Sequence, residues 1–258
     1  MQNPNANSPL NPSAQPMANA LPPQLSALQA GIDPAKLFGG AQPTFKSGDM
    51  VKGRYLVEDL LVRRGGFGTI YAITDTQTQQ RLVMKQLQQR RQVSAKNREL
   101  FQREGEILSA LSHPAIPAFH EAFELDGSLY LVIERIDGMN VSTLLREQGK
   151  FSETDALAFF RQALDILEYL GDQTPPIVHR DIKPANFMRT MEGRYVLLDF
   201  GNATRWRTRT FDEKVDMGPP REFTSIWTKG FAAPEALMGM VAYTSSDLFA
   251  LAATILNL

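Results

Sequence analysis

Three clusters in this chain have residue types and spacing that could do chemistry. The tightest is His179-Arg180-Asp181-Ile182-Lys183-Pro184-Ala185-Asn186, followed thirteen residues after Asn186 by Asp199-Phe200-Gly201. Chance assembly of that octapeptide with Asp-Phe-Gly at a loop–strand–loop spacing is negligible. The second cluster is Val83-Met84-Lys85. A lysine in an apolar strand usually sits at an edge with its ammonium in water. One that reaches inward requires an anion, and Glu104 on the following helix is a candidate. The third is the glycine loop Arg63-Arg64-Gly65-Gly66-Phe67-Gly68-Thr69-Ile70. Its glycines let backbone N–H groups approach phosphate and tolerate positive φ. Gly-Gly hairpins are common, so the loop alone carries little weight.

The elements that must position these residues follow from the apolar pattern. From Tyr55 to Gln86 short β-prone runs are broken by the glycine loop and by the polar turn Asp75–Arg81. Residues 94–111 read as a helix with Phe101, Ile107, Leu108 and Leu111 on one face. Strands are expected around 116–124 and 128–134, joined by the hairpin signal Asp126-Gly127. Helices are expected over 141–147 and 152–171, the second N-capped by Ser152 with Asp155 three residues on. Short strands at 187–189 and 195–198 are the only β elements expected later. A β-rich half followed by a mainly helical half implies an α+β protein of two lobes.

Composition narrows the function classes. Among 258 residues Lys+Arg is 27 and Asp+Glu 28, a net charge of −1, which argues against a protein built to grip nucleic acid. The basic run Lys85–Arg103 holds six cations and one acid and reads as a solvated helix face. With no cysteine, disulfide scaffolds, thiolate metal sites and cysteine nucleophiles are excluded, and three histidines (His113, His120, His179) are too few for a histidine-rich metal site. No apolar stretch is long enough for a membrane span, and no secretory signal opens the chain, so a cytoplasmic protein is expected. Residues 1–45 hold eight of the 16 prolines and no charge before Asp33. They read as a disordered tail, with a weak amphipathic stretch from Leu25 to Ile32.

On the His179–Asn186 and Asp199–Gly201 motifs the chain resembles the eukaryotic-like protein kinases, specifically the Ser/Thr kinases widespread in bacteria. Ala233-Pro234-Glu235 matches that family's end-of-activation-segment motif, and Asp247 matches the Asp that opens its buried central helix. The resemblance covers about residues 50–258. It implies a kinase N-lobe and hinge over 46–136 and a C-lobe over 137–258, with ATP and Mg2+ as cofactors and a protein substrate as partner.

Carried over by position, Lys85 would hold the α- and β-phosphates, oriented by Glu104. Asp181 would accept the substrate hydroxyl, and Lys183 would neutralise charge on the transferred phosphate. Asn186 and Asp199 would bind Mg2+ through oxygen. Gly65, Gly66 and Gly68 would cover the phosphates. Val62, Ile70, Val83 and Met188 would contact adenine, with backbone groups of Glu134–Ile136 at the hinge and Ile133 behind as gatekeeper. Leu108, Phe119, His179 and Phe200 match the family's hydrophobic stack. His179, read naively a general base, is then structural. Arg180 implies an activation-segment phosphate, with Thr224 or Ser225 as the site. Thr204, Thr208 and Thr210 are weaker candidates, and Thr228 matches the Thr that binds near Asp181.

Four departures from the pattern stand out. Arg63 occupies the first glycine position. Val83 replaces a small residue over adenine, a crowding worth ~1–3 kcal/mol. Trp227 replaces a glycine before Thr228. Finally, the chain ends at Leu258 within the helix that begins at Asp247, where the family continues through further helices. Leu248, Phe249, Leu251, Ile255, Leu256 and Leu258 are therefore expected to lie uncovered, and Glu235 to lack its usual Arg partner. Each such side chain forgoes about 1.5–3 kcal/mol of burial. The expectation is a truncated C-lobe that associates with itself or with a partner chain. The leading function is a protein Ser/Thr kinase. The alternative is a catalytically inactive nucleotide-binding or scaffold remnant. Small-molecule kinases share the architecture, but Lys183 and Ala233-Pro234-Glu235 speak for protein substrates.

Overall fold

The structure is a computed structural model that describes residues 45–64, 68–87, 95–206, 230–237 and 243–258. In the first lobe, β1 (Met50–Val51), β2 (Tyr55–Arg64), β3 (Gly68–Asp75), β4 (Arg81–Leu87), β5 (Phe119–Leu125) and β6 (Ser128–Glu134) form one sheet of order β1-β2-β3-β4-β6-β5. Helix α1 (Ala95–Ser109) lies between β4 and β5 in sequence. The β5–β6 connection is the expected tight hairpin, with Asp126 and Gly127 both at positive φ (48° and 73°), as a type I′ turn requires.

Side-chain alternation decides what each face of the sheet does. Leu82 and Met84 of β4 join Tyr55, Tyr71, Ile73, Tyr130 and Val132 in one buried cluster. Their neighbours Leu87, Leu129 and Leu131 belong to a second cluster on the other side, with Phe101, Ile107 and Leu108 of α1. Lys85 is paired with Leu131 and so shares that second face. Helix α1 buries Phe101, Glu104, Gly105 and Leu108, the i, i+3, i+4, i+7 stripe of a packed helix. At Gly105 a Cβ would meet Ala122 and Leu131 at 3.7 Å, an ordinary packing contact.

The second lobe contains β7 (Gly138–Asn140), α2 (Val141–Gln148), α3 (Glu153–Gly171), β8 (Ile177–Val178), β9 (Phe187–Thr190), β10 (Tyr195–Leu197), β11 (Thr204–Arg205), α4 (Pro234–Leu237) and α5 (Thr244–Asn257). Ser152 caps α3 as expected, accepting from the Asp155 N–H at 3.1 Å. Asn140 caps α2 through the Ser142 N–H at 3.0 Å. The α3 stripe Phe159, Ala163, Ile166, Leu167 and Leu170 is buried. Phe159 sits edge-on to Phe187 and Tyr195 at 4.8 and 5.0 Å, so truncating it costs about 3–5 kcal/mol.

Two expectations are corrected. Strands β9 and β10 are not the only later β elements, because β7, β8 and β11 pair in two small sheets. These runs of two or three residues are too short to show a period and exist only through their partners. The apolar residues of α5 are also not uniformly uncovered. Leu251 and Leu258 are buried and Ile255 packs against the same core, because that side of the helix faces α3 and β8. Leu248, Phe249 and Leu256 are exposed, at 48, 45 and 83%. Helical geometry, which the sequence-based reading left out, separates the two sets.

Candidate active site

Antiparallel pairing brings the expected cleft residues onto one face. Val62 pairs with Ile70, Ile70 with Lys85, and Val83 with Ile133. Directly opposed residues in a ladder project to the same side, so Val62, Ile70, Val83, Lys85 and Ile133 share the sheet face turned toward α1 and the second lobe. Gly68, at φ +117°, begins β3 hard against β4, where an added Cβ would lie 2.0 Å from the Gln86 carbonyl oxygen. Gly65 and Gly66 lie outside the described residues, as do Trp227, Thr208, Thr210, Thr224, Ser225 and Thr228; of Arg63 only the backbone is described. Glu134 ends β6, its N–H donating to the Ala118 carbonyl at 2.8 Å, and Ile136 follows half-buried.

Lys85 and Glu104 meet. The ammonium donates to both Glu104 carboxylate oxygens at 2.7 Å and reaches Asp199 Oδ1 at 3.3 Å. Burial works against the charge on Lys85, but the Asp199 and Glu104 carboxylates prevail and hold its pKa above the usual lysine value. The lysine is therefore a permanent cation fixed between two acids from different lobes.

The residues of the 179–186 loop converge on one carboxylate. Asp181 Oδ2 accepts from Lys183 Nζ at 2.9 Å and from Asn186 Nδ2 at 3.0 Å, and Asn186 Nδ2 also reaches the Asp181 carbonyl at 2.7 Å. With its amide nitrogen so turned, Asn186 brings Oδ1 as the atom it can offer a cation, and Asp199 brings a carboxylate. This all-oxygen pair fits Mg2+, which takes one or two protein oxygens and completes its shell with water and phosphate. Asp199 is held at φ +61° and Arg180 at φ +67°, left-handed conformations for non-glycine residues of the kind that cluster at functional sites.

His179 is a scaffold here. Its Nδ1 accepts from the Asp181 N–H at 3.3 Å and its Nε2 donates to the Leu198 carbonyl at 3.2 Å, which assigns the neutral tautomer. Burial lowers its pKa, in agreement with a neutral ring. The ring stands edge-on to Phe200 at 4.8 Å, while Leu108 and Phe119 lie in the cluster that holds Phe200. His113 satisfies local backbone as expected, accepting from the Ala115 N–H at 3.2 Å.

Asp247 secures the loop from below, accepting from the His179 N–H at 2.6 Å and the Arg180 N–H at 2.8 Å. Its burial pushes its pKa up to about 7 against the pull of those two donors. Arg180 is lowered by burial and then by the neighbouring positive charge of Arg103. Met188 lies on β9 opposite Val196, and Asn140 of the adjoining β7 donates to the Ala185 carbonyl at 2.6 Å. Sequence reasoning assigned Asn140 no role; an Asn before an apolar helical run is an N-cap signal, and nothing local points to its second bond. It also missed that Glu235 finds a partner in Ser246, whose Oγ donates to it at 2.5 Å.

Residues 58–258 match the protein kinase domain family. The chain belongs to that family. It is 36% identical over 170 residues to a probable serine/threonine-protein kinase, YbdM, of Bacillus subtilis, covering 65% of this chain and 64% of that protein. It is 35% identical over 228 residues to serine/threonine-protein kinase F of Synechocystis, covering 81% of this chain and 44% of that one. Against serine/threonine-protein kinase PknD of Mycobacterium tuberculosis the identity is 30% over 195 residues, 74% of this chain and 27% of the relative. The chain thus spans less than two thirds of the length of the curated relatives it matches. The fold is the two-lobed α+β kinase fold. Among the described residues no helix is long and apolar enough to cross a membrane.

Proposed function

We propose that the chain is an ATP-dependent protein serine/threonine kinase, with its N-lobe and hinge over 46–136 and its C-lobe over 137–258. The observation that carries the reading is the convergence of Lys183 and Asn186 on Asp181, combined with the Lys85–Glu104 pair within reach of Asp199. All the residues with a direct chemical role are present and lie in contact within these two groups.

In this reading Lys85 holds the α- and β-phosphates and Glu104 keeps its ammonium in place. The adenine lies against Val62, Ile70, Val83 and Met188, at the backbone of Glu134 and Ile136, and Gly65, Gly66 and Gly68 cover the phosphates. Asn186 and Asp199 hold Mg2+, which when bound neutralises charge on the phosphate oxygens. Asp181 orients a substrate Ser or Thr hydroxyl. The hydroxyl oxygen forms a bond to the γ-phosphorus while the bond to the β–γ bridging oxygen breaks, leaving ADP, and the hydroxyl proton passes to the Asp181 carboxylate. Lys183, bonded to that carboxylate, meets the charge on the phosphoryl group.

Control by activation-segment phosphorylation at Thr224 or Ser225, with Thr228 near Asp181, is part of the proposal. It is supported by the positive charge that Arg180 and Arg103 bring together. The Thr224→Ala, Ser225→Ala double variant should lose activity, and full activity in it refutes this control. ATP as substrate favours a cytoplasmic site of action, and exposed Leu248, Phe249 and Leu256 offer a surface for self-association or a partner chain.

The test of the main reading is γ-phosphate transfer from Mg·ATP to the chain itself and to a generic basic protein, beside Asp181→Asn. Transfer lost in the variant is the expected result. A folded chain that binds Mg·ATP without transferring phosphate overturns the reading in favour of the nucleotide-binding scaffold.

A further inference from the structure

The N-terminal turn of α5 carries two adjacent polar residues that reach two different loops. Asp247 binds the backbone of the catalytic loop at His179 and Arg180. Ser246, fully buried, has its hydroxyl engaged on both sides: Oγ donates to Glu235 Oε1 at 2.5 Å and accepts from the Tyr243 N–H at 3.0 Å. Successive helical residues point about 100° apart, so one turn can serve both directions.

We propose that Ser246 is a positioning residue: through Glu235 it seats residues 230–237 on the same helical turn that holds the catalytic loop, and so sets the distance between the substrate-side segment and Asp181. Four observations support this. Ala232 and Ala233 are buried, so the segment packs inward just before Glu235. The Ser246 hydroxyl is the leading influence that holds Glu235 below the usual carboxylate range, with its own backbone N–H second. Among the described residues no ion pair involves Glu235, and the side-chain group that meets it is the Ser246 hydroxyl. Finally, α5 is a firm base, because Ala250, Leu251 and Thr254 are buried on its far turns and the Leu258 carbonyl accepts from the Phe151 N–H at 2.7 Å.

The inference rests on the kinase reading for its functional consequence, since that reading assigns Thr228, two residues before Gly230, to the neighbourhood of Asp181. Loosening 230–237 then loosens the seat of the protein substrate and leaves the nucleotide site, built from Lys85, Glu104, Asn186 and Asp199, as it was.

The experiment compares Ser246→Ala, Glu235→Gln and the double variant in the full chain. Hydrogen exchange by mass spectrometry follows residues 230–237 and the catalytic loop 179–181, while KM for a protein substrate, kcat and the Kd for Mg·ATP are measured alongside. Ser246→Ala should raise exchange in 230–237 about tenfold, the loss expected for one hydrogen bond to a charged group, and Glu235→Gln, whose amide oxygen still accepts from Ser246, should raise it by a smaller factor. The double variant should match Ser246→Ala, because both changes act on the same contact. KM should rise by a similar factor, with kcat, the Kd for Mg·ATP and exchange at 179–181 unchanged. Unaltered exchange in 230–237 overturns the proposal. So does a uniform loss across KM, kcat, nucleotide affinity and both loops, which is what general destabilisation produces. If Ser246→Ala does not fold, Glu235→Gln carries the same comparison. If the unaltered chain transfers no phosphate, the kinase reading fails on its own and the exchange data still decide the role of Ser246.

Discussion

Replacing Glu104 by alanine removes one acid from a site that holds one cation and two acids. Lys85 is 14% exposed and Glu104 4%, so the pair is shielded from solvent, and breaking such a pair from one side costs about 3–5 kcal/mol. Asp199 Oδ1, 3.3 Å from Nζ, remains as a second partner and recovers part of that cost. A net loss of about 2–3 kcal/mol follows, lowering Tm by roughly 5–10 °C for a domain of this size. The second consequence is more specific. Deprived of Glu104, the Lys85 ammonium turns wholly to Asp199, the carboxylate assigned to Mg2+, and competes with the metal for it. The Mg2+ concentration that gives half-maximal phosphotransfer should therefore rise, in addition to a fall in kcat. Differential scanning fluorimetry and a Mg2+ titration at saturating ATP measure the two effects. An unchanged Tm together with an unchanged Mg2+ midpoint would refute the reasoning, because it would mean that Glu104 neither stabilises Lys85 nor shields Asp199.

Other perturbations have directions that follow from the geometry. Asp75 is held below the usual carboxylate range by Arg54, whose Nε and Nη2 lie 3.1 and 2.7 Å from Oδ2, although burial opposes this. Its folded pKa is depressed, so its contribution to stability is present above about pH 4 and is lost as pH falls below that; Tm should drop more steeply with acid in the unaltered chain than in Asp75→Asn, and parallel profiles would contradict it. Gly68→Ala forces an L-residue to φ +117° with its Cβ 2.0 Å from the Gln86 oxygen, so thermal unfolding should show a loss of at least ~1–3 kcal/mol, and a neutral outcome would be inconsistent with the β3–β4 approach. Asp247→Asn keeps one acceptor for two N–H donors and should cost about 1.5–3 kcal/mol, with faster hydrogen exchange at His179 and Arg180; unchanged exchange there would show that the loop is held by something else.

The legible parts of this chain were those with a local signature. The Asp126-Gly127 hairpin, the Ser152 cap and the α1 stripe each depend on residues within one turn or one ladder step, and all three stand in the structure. The Lys85–Glu104 pair was legible for a different reason: a charge in an apolar strand must find its opposite, and few candidates existed nearby. Strands β7, β8 and β11 were not legible, because two or three residues carry no period and owe their conformation to a partner distant in sequence. The two-sided character of α5 was missed because its apolar residues were counted without being placed around the helix. Ser246 and Asn140 were missed because a serine or asparagine near a helix start reads as a cap, and only the fold shows the second bond each one makes.

The central claim is that the Asp181, Lys85 and Asp199 constellation transfers a phosphoryl group from ATP to a hydroxyl. The most direct measurement is the intact mass of the chain after incubation with Mg·ATP, followed by mapping of the modified residue and set against Asp181→Asn under the same conditions. Added phosphoryl groups on Ser or Thr are expected in the unaltered chain and none in the variant. Equal modification of the two proteins, or none in a folded chain saturated with Mg·ATP, would contradict the claim.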